Sequence, residues 1–334
     1  MDNLTHTLTG VLLARAGLNR WCSGAGFLLA LAANAPDVDV VAGLLGGQDT
    51  YLEWHRGPTH GLAGMPVVAL LPLLAMWPFR RGKGQWLRAY LVSLAAVGSH
   101  LALDWTNMYG IRLLAPFSGE WFRADITGVV DVWIWALLAG AALWGILARL
   151  VSTEIGARAT PGRGVAIAAL TLLCAYDFGR FLLHERAVAV LDSHLYAGEV
   201  PTRVAAFPGF ALPMRWTGVV ETGGFYMVHR LDLGAAFDPG AGKIYYKAAP
   251  GEALEAARRT EAFRKFLRFA QFPIWRQTPL AEPEGGVRVE VSDLRFGLPG
   301  DGRFAAVAEL DQNQRVLRAW FQFGPGWEKG AREP

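Results

Sequence analysis

The sequence has little cysteine and little charge. Only two of its 334 residues are cysteine, Cys22 and Cys174, which excludes a small scaffold held together by disulfides. Charged residues make up 18% of the chain, against about 25% in an ordinary soluble domain. Hydrophobic residues make up 52%, which excludes a disordered chain and indicates contact with a membrane. The net charge of +3 is too small to indicate a nucleic-acid partner.

Common catalytic and targeting motifs are also missing. His184-Glu185 is followed by Arg-Ala-Val, so the H-E-x-x-H motif of zinc proteases is absent. The sequence contains no phosphate-binding loop, no G-x-S-x-G motif and no dinucleotide fingerprint. No basic segment or small-residue cleavage site follows Met1, so we expect no removable signal peptide.

Long apolar stretches are what the sequence does contain. Four of them are long enough to cross a bilayer core about 30 Å thick, which takes about 20 helical residues. They cover residues 61–79, 86–103, 129–148 and 164–183. Residues 8–16 and 23–35 are shorter and predict a helical hairpin, either re-entrant or packed against the spans. The predicted fold is therefore mainly α, with a polytopic membrane domain of about four spans plus this hairpin over residues 1–184.

Basic residues set the predicted orientation of these spans. Nine lie in three predicted loops: Arg15, Arg20, Arg80, Arg81, Lys83, Arg88, Arg149, Arg158 and Arg163. The opposite loops hold three: Arg56, Arg112 and Arg123. The positive-inside rule then places the nine on the cytoplasmic side of an inner membrane. The C-terminal part of the chain would lie on the outer, periplasmic side.

The composition changes after residue 184. Aromatic and β-branched runs punctuated by proline and glycine are typical of short strands. The predicted strands cover residues 216–220, 225–233, 287–290, 293–296, 304–310 and 315–323. Residues 252–269 predict a helix. We expect residues 185–334 to form a small extramembrane α+β domain.

Histidine and aspartate side chains lie within or beside the predicted membrane segments, where ionisable groups are costly and usually functional. They are His6, Asp37, Asp39, His55, His60, His100, Asp104, Asp125 and Asp131. The predicted topology puts all of them on one face of the membrane, opposite the basic loops. We therefore expect these groups to converge at the outer interface.

Imidazole and carboxylate groups are ligands of Zn²⁺ and other divalent ions. His100 and Asp104 are four residues apart, so they share one face of a helix. The expected ligands of a divalent metal, zinc first and manganese as the alternative, are His6, Asp37, His55, His60, His100, Asp104 and Asp131. This set exceeds what one tetrahedral ion needs, which indicates a cluster of two or three ions.

Simpler roles stay open for several of these residues. Asp39 has the setting of a helix cap or turn residue, and His6 that of an N-terminal capping group. Asp125 fits a cap of the third span, which favours Asp131 as the functional carboxylate.

At these positions the sequence resembles the YdjM-type, LexA-regulated family of inner-membrane metal-dependent hydrolases. The matching blocks are T-H-T-L-T-G at 5–10, A-P-D-V-D at 35–39, H-R-G-P-T-H-G at 55–61, S-H-L-A-L-D-W-T at 99–106, L-A-P-F-S at 114–118 and V-D at 130–131. The resemblance implies that Arg56 and Thr59 orient ligands or substrate. The family is in turn similar to the all-helical, zinc-dependent phospholipase C and single-strand nuclease fold, which implies phosphoester hydrolysis.

These observations predict metal-assisted hydrolysis. Asp37 or Asp39 is the candidate general base, and Arg56 is the candidate group that orients a phosphate. A site at the headgroup level predicts a lipid-linked or amphiphilic substrate taken from the bilayer, whereas protein partners stay unknown. Two alternatives remain: a metal-ion or proton-coupled transporter, and a membrane-anchored scaffold with a structural metal.

Overall fold

The computed structural model describes residues 1–46, 48–80, 84–154, 162–297 and 304–323. Within these ranges the N-terminal half is helical, and the C-terminal half contains two antiparallel sheets. Three of the basic residues behind the predicted orientation, Arg81, Lys83 and Arg158, lie outside the described residues.

Ten helices make up the described part of the N-terminal half. They are α1 (Asn3–Ala16), α2 (Ala25–Ala32), α3 (Val40–Gly46), α4 (Gln48–Trp54), α5 (Met65–Val68), α6 (Leu71–Ala75), α7 (Trp77–Arg80), α8 (Trp86–Thr106), α9 (Val132–Glu154) and α10 (Arg163–Asp192). Three 3-10 turns, Leu18–Arg20, Ala35–Asp39 and Pro58–His60, interrupt this series.

The first two helices pack closely against each other. The carboxylate of Asp2 accepts hydrogen bonds from the backbone N–H groups of Leu4 and Thr5, which caps the start of α1. Gly10 allows the close approach, because a Cβ there would lie 2.6 Å from the carbonyl oxygen of Leu29 in α2. The α1–α2 pair is therefore tightly packed, and α2 leads into the turn Ala35–Asp39.

The prediction of four full spans is not confirmed. Among the described residues, α8 and α10 are each long and apolar enough to cross a membrane. Two bent pairs, Ala25–Ala32 with Ala35–Gly43 and Thr50–His60 with Met65–Ala75, raise the number to as many as four if each pair counts as one span. These pairs bend by 51° and 87°. Helix α9 contributes a shorter apolar segment, Val132–Ala148.

The prediction of a single helix over residues 61–79 was wrong. The segment instead forms α5, α6 and α7, and each of these short helices has a proline at its second position: Pro66, Pro72 and Pro78. Proline donates no backbone hydrogen bond and clashes with the preceding turn, so a continuous helix cannot pass through all three positions without distortion.

The C-terminal domain contains two four-stranded antiparallel sheets, each with its strands in sequence order. The first sheet comprises β1 (Arg203–Pro208), β2 (Arg215–Glu221), β3 (Phe225–Asp232) and β4 (Lys243–Tyr246). The second comprises β5 (Pro273–Pro279), β6 (Val287–Asp293), β7 (Phe304–Leu310) and β8 (Val316–Phe323). Two helices, α11 (Glu252–Arg258) and α12 (Glu261–Phe269), replace the single helix predicted over residues 252–269. One strand, β6, replaces the two predicted between residues 287 and 296.

The two halves of the chain are joined by packing on two sides. Helix α10 runs past the predicted boundary at 184/185, and its Ala187 and Leu191 are buried against Trp216 of the first sheet. The second sheet meets the loop after α8, where Tyr109 joins a buried cluster with Phe269 and Phe304. The C-terminal domain therefore lies directly beside the segment that follows His100 and Asp104.

Candidate metal centre

Four of the predicted site residues converge. Asp37 comes from the second 3-10 turn, His60 from the third, and His100 and Asp104 from one face of α8. Each offers one ligand atom, and the four atoms lie within 4.8 Å of one another. The side chains of His60, His100 and Asp104 are fully buried, so the site is closed to bulk water on most sides.

The spacing of these atoms fits a tetrahedral ion. Nε2 of His60 lies 3.1 Å from Nε2 of His100. Oδ2 of Asp104 lies 3.4 Å from the first of these nitrogens and 3.3 Å from the second, and Oδ1 of Asp37 lies 3.5 and 3.6 Å from them. Ligands about 2.0–2.2 Å from one zinc ion would be roughly 3.3–3.6 Å apart along the edges of a tetrahedron. The four residues therefore fit a divalent metal.

Buried oxygen atoms without partners support the same conclusion. Oδ2 of Asp37 and Oδ2 of Asp104 are buried and, within the described part of the chain, have no hydrogen-bond partner. An unpaired carboxylate oxygen in a protein interior is costly unless a cation or a donor satisfies it.

The second nitrogen of each imidazole, Nδ1, contacts an acceptor within the protein. Nδ1 of His100 lies 2.6 Å from the carbonyl oxygen of Ala33, and because a carbonyl only accepts, this nitrogen carries the proton. Nδ1 of His60 lies 3.2 Å from Oδ2 of Asp39. Both contacts leave Nε2 as the metal-binding nitrogen, which is the usual arrangement around a protein-bound metal.

Asp39 serves as the centre of a hydrogen-bond network. Its carboxylate accepts from the backbone N–H of Arg56 at 2.8 Å and from Oγ1 of Thr59 at 3.0 Å. Nδ1 of His55 lies 3.1 Å from its other oxygen. With its lone pairs engaged in this way, Asp39 orients His60, and His55 supports Asp39 from outside the group of four.

His6 lies beside the group of four. Its ring stacks on that of His100 with centroids 3.6 Å apart, and its Nε2 lies 3.4 Å from Oδ1 of Asp104. Neither ring nitrogen has a hydrogen-bond partner among the described residues. The amino group of Met1 also contacts Oδ1 of Asp104.

Asp131 does not join the group of four. Its Oδ1 accepts from the backbone N–H groups of Trp133 and Ile134, and its Oδ2 accepts from the Tyr176 hydroxyl at 2.9 Å. These contacts make Asp131 the cap of α9, the role that the sequence favoured for Asp125. Asp125 lies instead toward the C-terminal domain. Burial raises the pKa of its carboxyl group, although the positive charge of Arg295 acts in the opposite direction.

Arg56 is buried and engaged with the site. Its Nη2 lies 3.2 Å from Oδ1 of Asp104, and its Nη1 donates to Oδ1 of Asn107 at 3.2 Å. Its guanidinium lies 4.7 Å from the ring centroid of Tyr109. Asn107, which was not among the predicted site residues, donates from its Nδ2 to Oδ1 of Asp104. Its signal is its position three residues after that ligand, at the end of α8.

A cavity of about 370 Å³, here called the site cavity, gives access to these groups. Asp37, His55 and Arg56 provide its polar wall. Tyr109 lines it as well, together with two residues of the C-terminal domain, Phe296 and Phe304. The site is therefore built from the helical half but covered in part by the C-terminal domain.

Two known families match the chain. The family described as YdjM inner membrane protein matches residues 1–187, and the YfhP C-terminal alpha/beta plait domain matches residues 252–324. The uncharacterized protein YfhP of Bacillus subtilis (strain 168) is 28% identical over 153 residues, which cover 43% of this chain. The match covers 46% of YfhP, so the chain spans about half the length of this curated relative. No solved structure matches the chain significantly.

Proposed function

The chain belongs to the YdjM inner membrane protein family, and we propose that it is a membrane-bound hydrolase that uses a divalent metal to cleave a phosphoester. One observation carries the proposal: two imidazoles and two carboxylates from three separate segments meet within 4.8 Å in a buried position. A mixed nitrogen and oxygen ligand set suits zinc first and manganese second.

A divalent ion bound here would lower the pKa of a coordinated water and neutralise charge on a phosphoryl oxygen. Asp37 is the better of the two candidate general bases, because its Oδ2 has no partner among the described residues and the residue lines the site cavity. Asp39 already accepts several hydrogen bonds and holds His60 in place.

Arg56 is the candidate group for phosphate orientation. It lines the site cavity, and its Nε has no hydrogen-bond partner in the described structure. Nε can therefore donate to a phosphoryl oxygen while Nη2 keeps its contact with Asp104. The same contact partly neutralises the negative charge of Asp104, which would otherwise repel the phosphate of a substrate.

The substrate is proposed to be lipid-linked or amphiphilic, since the site lies in a protein of the inner membrane. The positive-inside pattern supports an outward-facing site and a periplasmic C-terminal domain, and the apolar helices and bent pairs support several spans. Accessibility of introduced cysteines to a membrane-impermeant maleimide tests this orientation, with labelling in intact spheroplasts expected for the C-terminal domain.

Metal content and activity measured on the same preparations test the proposed function. Protein purified without chelator is analysed for bound metals and assayed on phosphoester lipids and on bis-p-nitrophenyl phosphate. His100→Ala should lose both metal and activity, whereas His194→Ala, in the C-terminal domain, should keep both. Wild-type protein that binds metal but releases no product from either substrate would refute hydrolysis.

A metal transporter is the second candidate, and the bent helix pairs favour it. The breaks at 51° and 87° lie next to Asp37 and His60, and transporters build ion sites from interrupted helices of this kind. Uptake of zinc or manganese into proteoliposomes, blocked in His100→Ala, would support transport. A third reading, a scaffold with a structural metal, predicts that the same variant fails to fold.

A further inference from the structure

A second cavity adjoins the site. It has a volume of about 360 Å³ and lies between the break after α2 and helix α6; it is called here the lateral cavity. Its apolar lining consists of Leu31, Val38, Leu71, Pro72 and Ala75, with Ala35 at the turn. Its size is within the range of about 300–1,000 Å³ that is typical of ligand pockets.

Two polar residues connect the lateral cavity to the site cavity. Asn3 and Asp37 line both, so the two cavities adjoin at the carboxylate that also belongs to the metal-binding group. Oδ1 of Asp37 faces His60 at 3.5 Å, and its Oδ2 is buried without a partner among the described residues. A molecule that occupied both cavities would therefore pass directly beside the proposed metal.

The lateral cavity opens onto an apolar surface. Val38 and Leu71, which line it, are 47% and 40% exposed, and the neighbouring Leu74 is 63% exposed. Apolar side chains that are exposed together mark a contact surface, and in an inner-membrane protein that surface meets lipid. The polar lining is confined to Asn3, Asn34 and Asp37, so the remaining, apolar part of the cavity offers water none of the two to four polar partners that it needs.

We propose that the lateral cavity holds one hydrocarbon chain of an amphiphilic substrate, which enters sideways from the bilayer. The phosphoester then lies at Asp37, and the polar head occupies the site cavity beneath Phe296 and Phe304. The chain-binding part stands on the two cavities alone, whereas the position of the scissile bond rests on the proposed function. A water-soluble phosphoester would use the site cavity only.

The C-terminal domain limits the size of the polar head. Phe296 and Phe304 lie 5.9 and 6.3 Å from the ring centroid of Tyr109, which is held below Arg56. The preceding residue, Arg295, is buried and donates to the carbonyl oxygen of Met108 at 2.8 Å. This anchor fixes the aromatic wall relative to α8.

Photolabelling tests the chain-binding site. The full chain is reconstituted into vesicles of phosphatidylethanolamine and phosphatidylglycerol that contain a phosphatidylglycerol with a diazirine in one acyl chain. Labelling is expected to concentrate on residues 31–38 and 71–75. Ala75→Trp, which fills the cavity, should lose most of this labelling, while Leu74→Trp, on the same helix but outside the lining, should keep it.

A second pair of variants keeps the test valid if Ala75→Trp fails to fold. Val38 lines the cavity and Val41 does not, although both are 47% exposed, so Val38→Trp and Val41→Trp form this pair. Loss of labelling in the first but not the second supports the proposal. Labelling that is spread evenly over the lipid-facing helices and is the same in all four variants overturns it.

Hydrolysis is measured separately, so the two proposals can fail independently. His100→Ala should stop hydrolysis and keep the acyl-chain labelling. Ala75→Trp should lose hydrolysis of phosphoester lipids but keep hydrolysis of bis-p-nitrophenyl phosphate. Concentrated labelling in a protein without any hydrolytic activity would refute the proposed function and leave the chain-binding site standing.

Discussion

Nε2 of His60 and Nε2 of His100 face each other at 3.1 Å, although the two residues are 40 positions apart. Each ring has its Nδ1 beside an acceptor, Asp39 in the first case and the carbonyl of Ala33 in the second. With both protons on Nδ1, two lone pairs point at one another in a buried site. A cation between them removes this repulsion, which is the physical basis of the prediction on metal removal.

Metal removal is expected to destabilise the helical half. An ion that binds only the folded protein stabilises it by about 2.7 kcal/mol when present at a hundred times its Kd. Addition of a chelator should therefore lower the Tm of the wild-type protein. The Tm of His100→Ala should not respond to chelator, and an equal response in both proteins would argue against these ligands.

Asp37→Asn should remove the general base and weaken one of the four metal ligands, so its rate is compared with that of the wild type at saturating metal. Loss of a positioned base typically lowers a rate by about 10²–10⁴-fold, so kcat on a phosphoester should fall within that range. The control is Asp192→Asn, an exposed position at the end of α10, which should keep the wild-type rate. A normal kcat in Asp37→Asn would mean that another group acts as the general base.

Asp39→Asn should act through His60. Outer hydrogen-bond partners of metal ligands typically change metal affinity by about 10–100-fold when they are replaced. We expect weaker metal binding by this factor, with activity restored by excess metal. If excess metal leaves the variant inactive, Asp39 takes part in the reaction itself.

Gly10→Ala and Gly26→Ala form a matched pair in the α1–α2 hairpin. A Cβ on Gly10 would lie 2.6 Å from the carbonyl oxygen of Leu29, whereas a Cβ on Gly26 has no heavy atom within 4 Å outside its own helix. The first substitution should cost about 1–3 kcal/mol of stability. The second should stabilise by less than about 0.5–1 kcal/mol, the figure for a helix interior, because Gly26 lies in the first turn of α2. Thermal unfolding in one detergent compares them.

His229 should make the C-terminal domain sensitive to acid. Burial in the first sheet lowers the pKa of this imidazole below its usual 6.5, so the folded state favours the neutral ring. Stability is then complete above about pH 6.5 and falls as the pH drops below it, since only the unfolded chain takes up the proton.

The comparison for His229 is the change in Tm between about pH 7 and about pH 5 in wild type and in His229→Phe. The wild type should lose more stability over this interval. Equal losses would mean that the histidine titrates alike in the folded and unfolded chains.

Local patterns predicted the elements that depend on neighbouring residues. The aromatic and β-branched run over residues 216–220 lies within β2, and the apolar run from Trp86 forms α8. The same helical spacing placed His100 and Asp104 on one face. The break of residues 61–79 was missed, although its three prolines were visible, because apolar length alone does not distinguish a kinked membrane helix from a series of short ones.

The sequence by itself determined which imidazoles and carboxylates are candidate metal ligands, because such groups are costly in an apolar chain unless they have a role. Only the tertiary structure decided how these groups are arranged. Asp37 and Asp104 meet His60 and His100 in one group, Asp39 contacts Nδ1 of His60, and Asp131 caps α9. The reason is geometric. Spacing along a helix fixes a face within a few residues, whereas contacts between segments depend on how separate elements pack, and on a second domain that closes over them.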